Sequence, residues 1–332
     1  MTTRLVILLL LTSLWLHFPA QAAPARLLQE ISLQHNQIIG LTLSSDGKTL
    51  AYSESKDADD SGTLYLRDAR AESKRVAVSN YVHDFALSSD GRLLAYIYFY
   101  FAPSHRTEDC FWTLTLYDVH LRKRLRFVVL PDDASFGLGG IAFSADGSTV
   151  ACGSYPVDSP CGVRLYRTQD LTLKSKLVAR IPLPYNIAFS DDGRYLAAAT
   201  SSLPGAVGNT AVWSVGDRRL RQVFDDDGPV FFAPDQHTLI FLFHAKAETG
   251  PSLRPIKRAG KDRFLFCRTD VHGFTRGPLE LWSLKPRKRL RRWFGTGSTD
   301  FSDSCGLSSD GRTLAGIYLD NGWESIRVWR LN

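Results

Sequence analysis

The chain has 332 residues, of which 44% are hydrophobic and 11% aromatic, and it carries a formal net charge of +6. That apolar content excludes a disordered chain, which lacks the surface to offset the entropy of ordering. So small a charge on so long a chain is no footprint for nucleic acid, and that class of partner is set aside.

In chain order the first feature is Arg4, then the apolar run Leu5 to Leu16, then Pro19 and the small-residue triplet Ala20-Gln21-Ala22. This is the pattern of a secretory signal peptide. A run of about a dozen apolar residues is shorter than the roughly 20 that a spanning helix needs. Residues 1–22 are therefore expected to be removed, leaving 23–332 as one periplasmic or secreted domain with no membrane span. The five cysteines would then meet an oxidising compartment. Cys152 and Cys161 flank a predicted hairpin turn and are the expected disulfide, while Cys110, Cys267 and Cys305 cannot be paired from sequence.

The mature chain is organised by a repeat. The stretches Ser44 to Ala51, Ser88 to Ala95, Ser144 to Ala151, Ser190 to Ala197 and Ser308 to Ala315 all read Ser-x-Asp-Gly followed by an apolar segment, and Ala233 to Leu239 is a weaker copy without the glycine. The aspartates stand at 46, 90, 146, 192, 235 and 310, at intervals of 44, 56, 46, 43 and 75 residues. Short apolar segments on both sides of an Asp-Gly turn predict strand, turn and strand. A third strand ends in an aromatic residue at Tyr117, Tyr166, Trp213, Trp282 and Trp329, and a fourth begins basic, as at Lys123-Arg124 and Lys288-Arg289.

A four-stranded unit of this size cannot bury both of its faces alone, whereas successive units packed around an axis can. The fold class predicted is all-β: a single β-propeller of six four-stranded blades, with seven as the alternative count. The Ser-Ser-Asp-Gly-x-Thr-Leu-Ala core with its later Trp or Tyr resembles the WD40 family and equally the TolB-type periplasmic propeller repeats. The WD40 Gly-His dipeptide is absent, and its Trp-Asp pair is degraded to Tyr117-Asp118, Trp213-Ser214 and Trp329-Arg330, so the divergent bacterial-type repeat is the better match. Arg26 to Leu33 reads as a fourth strand with no blade before it, and the last blade stops after its third. The N-terminal strand is expected to complete the C-terminal blade and remove two exposed edges. The 75-residue interval is read as one blade carrying an insertion at about 244–277, with one extra strand at Arg263 to Cys267.

In such a meander alternate turns share an end of the sheet, which sorts the loops into two faces. The Asp-Gly turns and the basic connections such as Arg122-Lys123-Arg124 fall on one face and read as solvated surface. The long insertions and the loops entering each first strand fall on the other. There lie His83, Asp84, Asp132, Asn186, Asp226, Asp227, Asp300 and Asp303, together with the basic Arg254, Lys257 and Arg258 of the insertion. Long loops on a rigid frame commonly carry function, so this is the expected binding face.

Chemistry is sparse. Asp57, Asp59 and Ser61 with Gly62 match the opening of a calcium loop, with Asp68 at its twelfth position, so calcium is the one cofactor considered. There is no Gly-x-Ser-x-Gly elbow, and the histidines lack zinc spacing. The function expected is that of an exported, monomeric, non-catalytic propeller that binds a protein or a cell-envelope component. The alternative is a lactonase-like hydrolase with a metal in the central channel, drawing on residues such as Asp84, Asn186 and Asp303.

Overall fold

In the computed structural model the described residues are 26–32, 37–44, 46–55, 62–70, 75–100, 111–130, 140–154, 162–179, 184–190, 192–200, 209–224, 230–232, 239–241, 252–258, 263–269, 279–284, 287–293, 305–308, 312–320 and 323–330. Between 230 and 307 the description is of strands and their pairing. Residues 1–22, the expected signal peptide, lie outside this set.

Every regular element among the described residues is a β-strand, and all pairings are antiparallel. Strand β1 (Arg26–Ser32) precedes a seven-stranded sheet built in chain order from β2 (Gln37–Leu43), β3 (Thr49–Ser55), β4 (Gly62–Asp68), β5 (Val76–Leu87), β6 (Leu93–Tyr100), β7 (Phe111–Asp118) and β8 (Lys123–Val129). Two four-stranded sheets follow. The first is β9 (Ile141–Phe143), β10 (Thr149–Ser154), β11 (Gly162–Arg167) and β12 (Leu173–Val178), and the second is β13 (Pro184–Phe189), β14 (Tyr195–Thr200), β15 (Thr210–Ser214) and β16 (Leu220–Phe224). A two-stranded sheet, β17 (Val230–Phe232) and β18 (Leu239–Phe241), comes next, then a four-stranded one of β19 (Ser252–Arg258), β20 (Arg263–Thr269), β21 (Leu279–Leu284) and β22 (Arg287–Trp293). The last sheet joins the two ends of the chain: β23 (Cys305–Leu307), β24 (Thr313–Asp320) and β25 (Trp323–Arg330) are completed by β1.

That closure was legible in the sequence and is present as drawn. Leu27 lies opposite Trp329 and Ile31 opposite Ile326. Glu30 accepts from Arg327 Nε at 2.7 Å, tying strands almost 300 residues apart in sequence.

The Asp-Gly motif makes one turn four times over. In the first copy Gly47 N donates to Ser44 O at 2.8 Å, Ser44 Oγ donates to Asp46 Oδ1 at 2.7 Å, and Thr49 N donates back to Ser44 Oγ at 2.9 Å. The same set recurs around Ser88, Ser144 and Ser190. Gly47, Gly91, Gly147 and Gly193 sit at φ between 67° and 70°, the left-handed region that costs an L side chain energy. The turn is therefore a four-residue connection with its glycine in third place, longer than the two-residue hairpin that Asp-Gly commonly signals. The residue after each third strand bonds back to the residue after the Asp-Gly: Ala69 N to Lys48 O, Val119 N to Arg92 O, Thr168 N to Ser148 O and Val215 N to Arg194 O. Those two kinds of turn share one face, as the alternation of a meander requires.

The cores lie between successive units. One cluster joins Ile31, Leu41, Leu50 and Tyr52 to Ile317, Ile326 and Val328, across the first and last sheets. A second packs the two halves of the seven-stranded sheet on each other through Leu64, Leu66, Leu94, Tyr96 and Tyr117. A third joins Ile97, Leu114 and Leu116 to Val150, Cys152 and Tyr166, and a fourth joins Val163, Leu165 and Leu177 to Leu196, Ala211 and Trp213. The aromatic that ends the third strand is buried each time it is described, at Tyr117, Tyr166, Trp213 and Trp329. The fourth strands are the exposed ones: β8 carries Arg124, Arg126 and Phe127 into solvent. First strands lie side by side in the order β23, β2, β5, β9, β13, β17, and β19 lies beside β23.

Two expectations are corrected. The 75-residue interval is not a four-stranded unit interrupted by a loop. Its Ser252–Arg258 and Arg263–Thr269 segments are the first two strands of a sheet that β21 and β22 complete, and among the described residues β18 pairs with β17 alone. The count had assumed that the weak repeat at 233–239 keeps four strands of its own. The expected disulfide is not formed: Cys152 is a free, buried thiol. A bridge needs Cα atoms within about 7 Å, yet Cys152 faces Arg164, and Ser154, two residues on, already faces Gly162. Cys161 lies outside the described residues.

Candidate functional site

Of the residues expected on the long-loop face, the described ones are His83, Asp84 and Asn186, with Arg254, Lys257 and Arg258 placed by backbone. Asp132, Asp226, Asp227, Asp300 and Asp303 lie outside the described residues. Arg254, Lys257 and Arg258 stand on β19, opposite Cys267, Leu265 and Phe264. They belong to an ordered strand, not to a loop.

Asp84 and Asn186 occupy corresponding positions in units separated by the β9–β12 sheet, each just past a register shift in its first strand. Such a bulge re-aims the residue that follows it. Asp84 Oδ1 accepts from Phe85 N at 2.7 Å, and Oδ2 accepts from Ile141 N on β9 at 2.9 Å. Both carboxylate oxygens are thus engaged by backbone, and one of them pins β5 to β9. Burial pushes the Asp84 carboxyl up to about 7, against the opposing pull of those two N–H donors. Beside it the His83 ring meets Trp112 edge-on at 4.7 Å, and Phe99 lies 4.6 Å from the same indole. The arrangement holds two sheets together; it presents no nucleophile with a base beside it.

The calcium reading places Asp57, Asp59 and Ser61 outside the described residues. Its twelfth position, Asp68, ends a seven-residue strand that begins at Gly62, and its Oδ1 caps the turn by accepting from Arg70 N at 2.7 Å. At about 3.3 Å per residue the strand carries Asp68 far from Gly62. Among the described residues no three of His, Cys, Asp and Glu are grouped to hold a metal ion.

A sizeable cavity opens on the other face, the one expected to be quiet. It measures about 750 Å³ and lies between the two halves of the seven-stranded sheet. One wall is Lys48 of the first Asp-Gly turn with Leu66, Arg67 and Asp68 at the end of β4 and Val76 at the start of β5. The facing wall is Arg92 of the second turn and the β7–β8 connection from Asp118 to Arg122. Four cations oppose two carboxylates, and Asp118 Oδ1 is already taken by Leu121 N at 2.7 Å. Arg67 Nε is buried with no hydrogen-bond partner. The sequence held one signal for this cleft, since Lys48 and Arg92 follow the glycine in the first two copies; read singly, each is ordinary surface.

No family model matches the chain, and no curated protein matches it in sequence. Likeness appears at the level of fold, where 1349 chains of solved structures match. Among them is a chain of the hydrazine synthase of Kuenenia stuttgartiensis, at a TM-score of 0.56 and 16% identity, over 91% of this chain and 98% of that one. At that identity the likeness is one of fold alone. A fold so widely shared leaves function to be argued from the site.

Proposed function

We propose that the protein is an exported, non-catalytic β-propeller of seven blades, acting as a scaffold that binds a protein or a cell-envelope component. The observation that carries this reading is the side-by-side order of first strands, from β23 through β2, β5, β9, β13 and β17, with β19 returning to β23. Seven first strands arranged in that order, with cores between consecutive sheets from the last one round to β13–β16 and β1 completing the last one, fit blades around an axis. Seven replaces six as the preferred count because β19–β22 stand as a blade of their own. The signal pattern at 1–22 supports export, and cleavage there would leave the closing strand close to the new N-terminus. Asp84, the best-placed acid of the long-loop face, has both oxygens engaged by backbone, which favours a scaffold over a channel enzyme.

The test is cross-linking of the purified mature protein in envelope extract, alongside elemental analysis and an assay on lactone and ester substrates. The scaffold reading expects a discrete cross-linked partner and no hydrolysis. Stoichiometric divalent metal together with lactone turnover would replace it with the hydrolase reading.

A further inference from the structure

The cleft between the two halves of the seven-stranded sheet differs from the other described groove on the same face. Between the sheet β9–β12 and the sheet β13–β16 the corresponding space is only about 200 Å³, and its charged lining is Lys174 against Asp146 and Asp192. The first of these two grooves is thus the larger and the more basic. At about 750 Å³ the larger cleft falls within the range of ligand sites, roughly 300–1,000 Å³.

Its lining specifies what would fill it. Arg92 and Arg122 stand exposed at the lip, and the buried Arg67 Nε is a donor with no acceptor among the described residues. An unsatisfied buried donor costs about 1–3 kcal/mol, which a ligand acceptor would recover. Below the lip the wall is aliphatic, from Leu66, Val76 and Val119 to Leu121, whose side chain is 57% exposed. A ligand must therefore bring anionic groups for the lip and apolar groups for the wall. We propose that the cleft is a docking site for an acidic segment of a partner polypeptide, one in which carboxylate side chains alternate with aliphatic ones. The assignment rests on the scaffold reading above and adds the partner's chemistry. A polyanionic glycan would match the lip but has nothing to bury against Leu121 and Val76.

The probe is a short fluorescent peptide of alternating glutamate and leucine, titrated with the intact mature protein and followed by anisotropy. The expected result is saturable binding that weakens with added salt. The double variant Arg92→Glu with Arg122→Glu should weaken it about tenfold or more, and Leu121→Ser severalfold. A matched control, Lys174→Glu with Arg194→Glu in and beside the smaller groove, should leave the affinity unchanged. Replacing the leucines of the peptide with serine should lower affinity about as much as Leu121→Ser does. The proposal is overturned if the peptide does not bind, if both double variants weaken it equally, or if a heparin-like polysaccharide displaces it while the serine peptide binds as well. A peptide that fails while cross-linking to an envelope partner persists in the Arg92→Glu, Arg122→Glu variant sinks the cleft and leaves the scaffold standing; loss of both results sinks both.

Discussion

At the scale of single residues, the repeated glycine does two different jobs that the motif alone does not distinguish. All four described copies need φ near +70°, yet a Cβ on Gly91 would meet Ser44 Cβ at 2.8 Å, and one on Gly193 would meet nothing within 4 Å. Gly193→Ala should therefore cost only the left-handed conformation, about 1–2 kcal/mol. Gly91→Ala adds a clash between the two halves of the seven-stranded sheet and should cost at least about 1 kcal/mol more, read as the difference in urea midpoints at equal slope. Asp84 carries a second residue-scale prediction. Its carboxyl is raised from 3.8 to about 7 in the fold, so the native state holds the proton more tightly than the unfolded chain. The stabilisation is complete below about pH 4 and is lost as pH rises toward 7, at no more than about 1.4 kcal/mol per pH unit. Asp84→Asn should flatten the wild-type loss of stability between pH 5 and pH 7.5, and an unchanged pH slope would refute the assignment. Cys152 offers a simpler check: burial pushes its thiol up to about 12, so alkylation should require unfolding.

Elements were legible wherever local chemistry recurs, and illegible where pairing is remote. The third-strand aromatics are an example of the first kind. Trp213 is fully buried, and its Nε1 donates to Val178 O across to the preceding sheet at 3.1 Å. Trp213→Ala should cost about 3–5 kcal/mol and Trp213→Phe roughly 1–2, the smaller figure reporting the lost hydrogen bond and the orphaned carbonyl. Phe127 on β8, half exposed, should tolerate alanine within about 0.5 kcal/mol. The partition of 230–293 was illegible because the copy at Ala233 to Leu239 lacks its glycine, and with the turn signal gone nothing local says whether β18 pairs onward. The cleft was hidden for a related reason. Lys48, Arg92 and Arg122 come from three separate connections and Arg67 from the end of β4, and only the packing of one half-sheet on the other gathers them. Asp84 was expected on the long-loop face, but its hydrogen bond to Ile141 crosses between sheets, a relation that no spacing in the sequence encodes.

For the whole molecule the decisive feature is that its first and last strands share a sheet. A repeat array open at both ends would unfold from either one, because each unit is held only by its neighbours. Pairing β1 with β25 ties the first strand of the chain into its last sheet and covers the edge that each would otherwise leave open. Deleting residues 23–32 should therefore do more than remove one strand. It strips Ile31 from the core that also holds Ile326 and Val328, at about 1.5–3 kcal/mol for such a side chain. It also breaks the Glu30–Arg327 pair and leaves the edge of β25 open. The truncated protein should melt about 3–8 °C lower, given about 2 °C per kcal/mol for a chain of this size, and should self-associate through the open edge on size-exclusion chromatography. A synthetic peptide spanning residues 24–33 should restore both properties when added in trans, since the groove it fills is otherwise intact. Ile31→Asp in that peptide should abolish the rescue. A truncated protein that stays monomeric and melts with the wild type would mean that closure contributes little and that each sheet stands on its own neighbours.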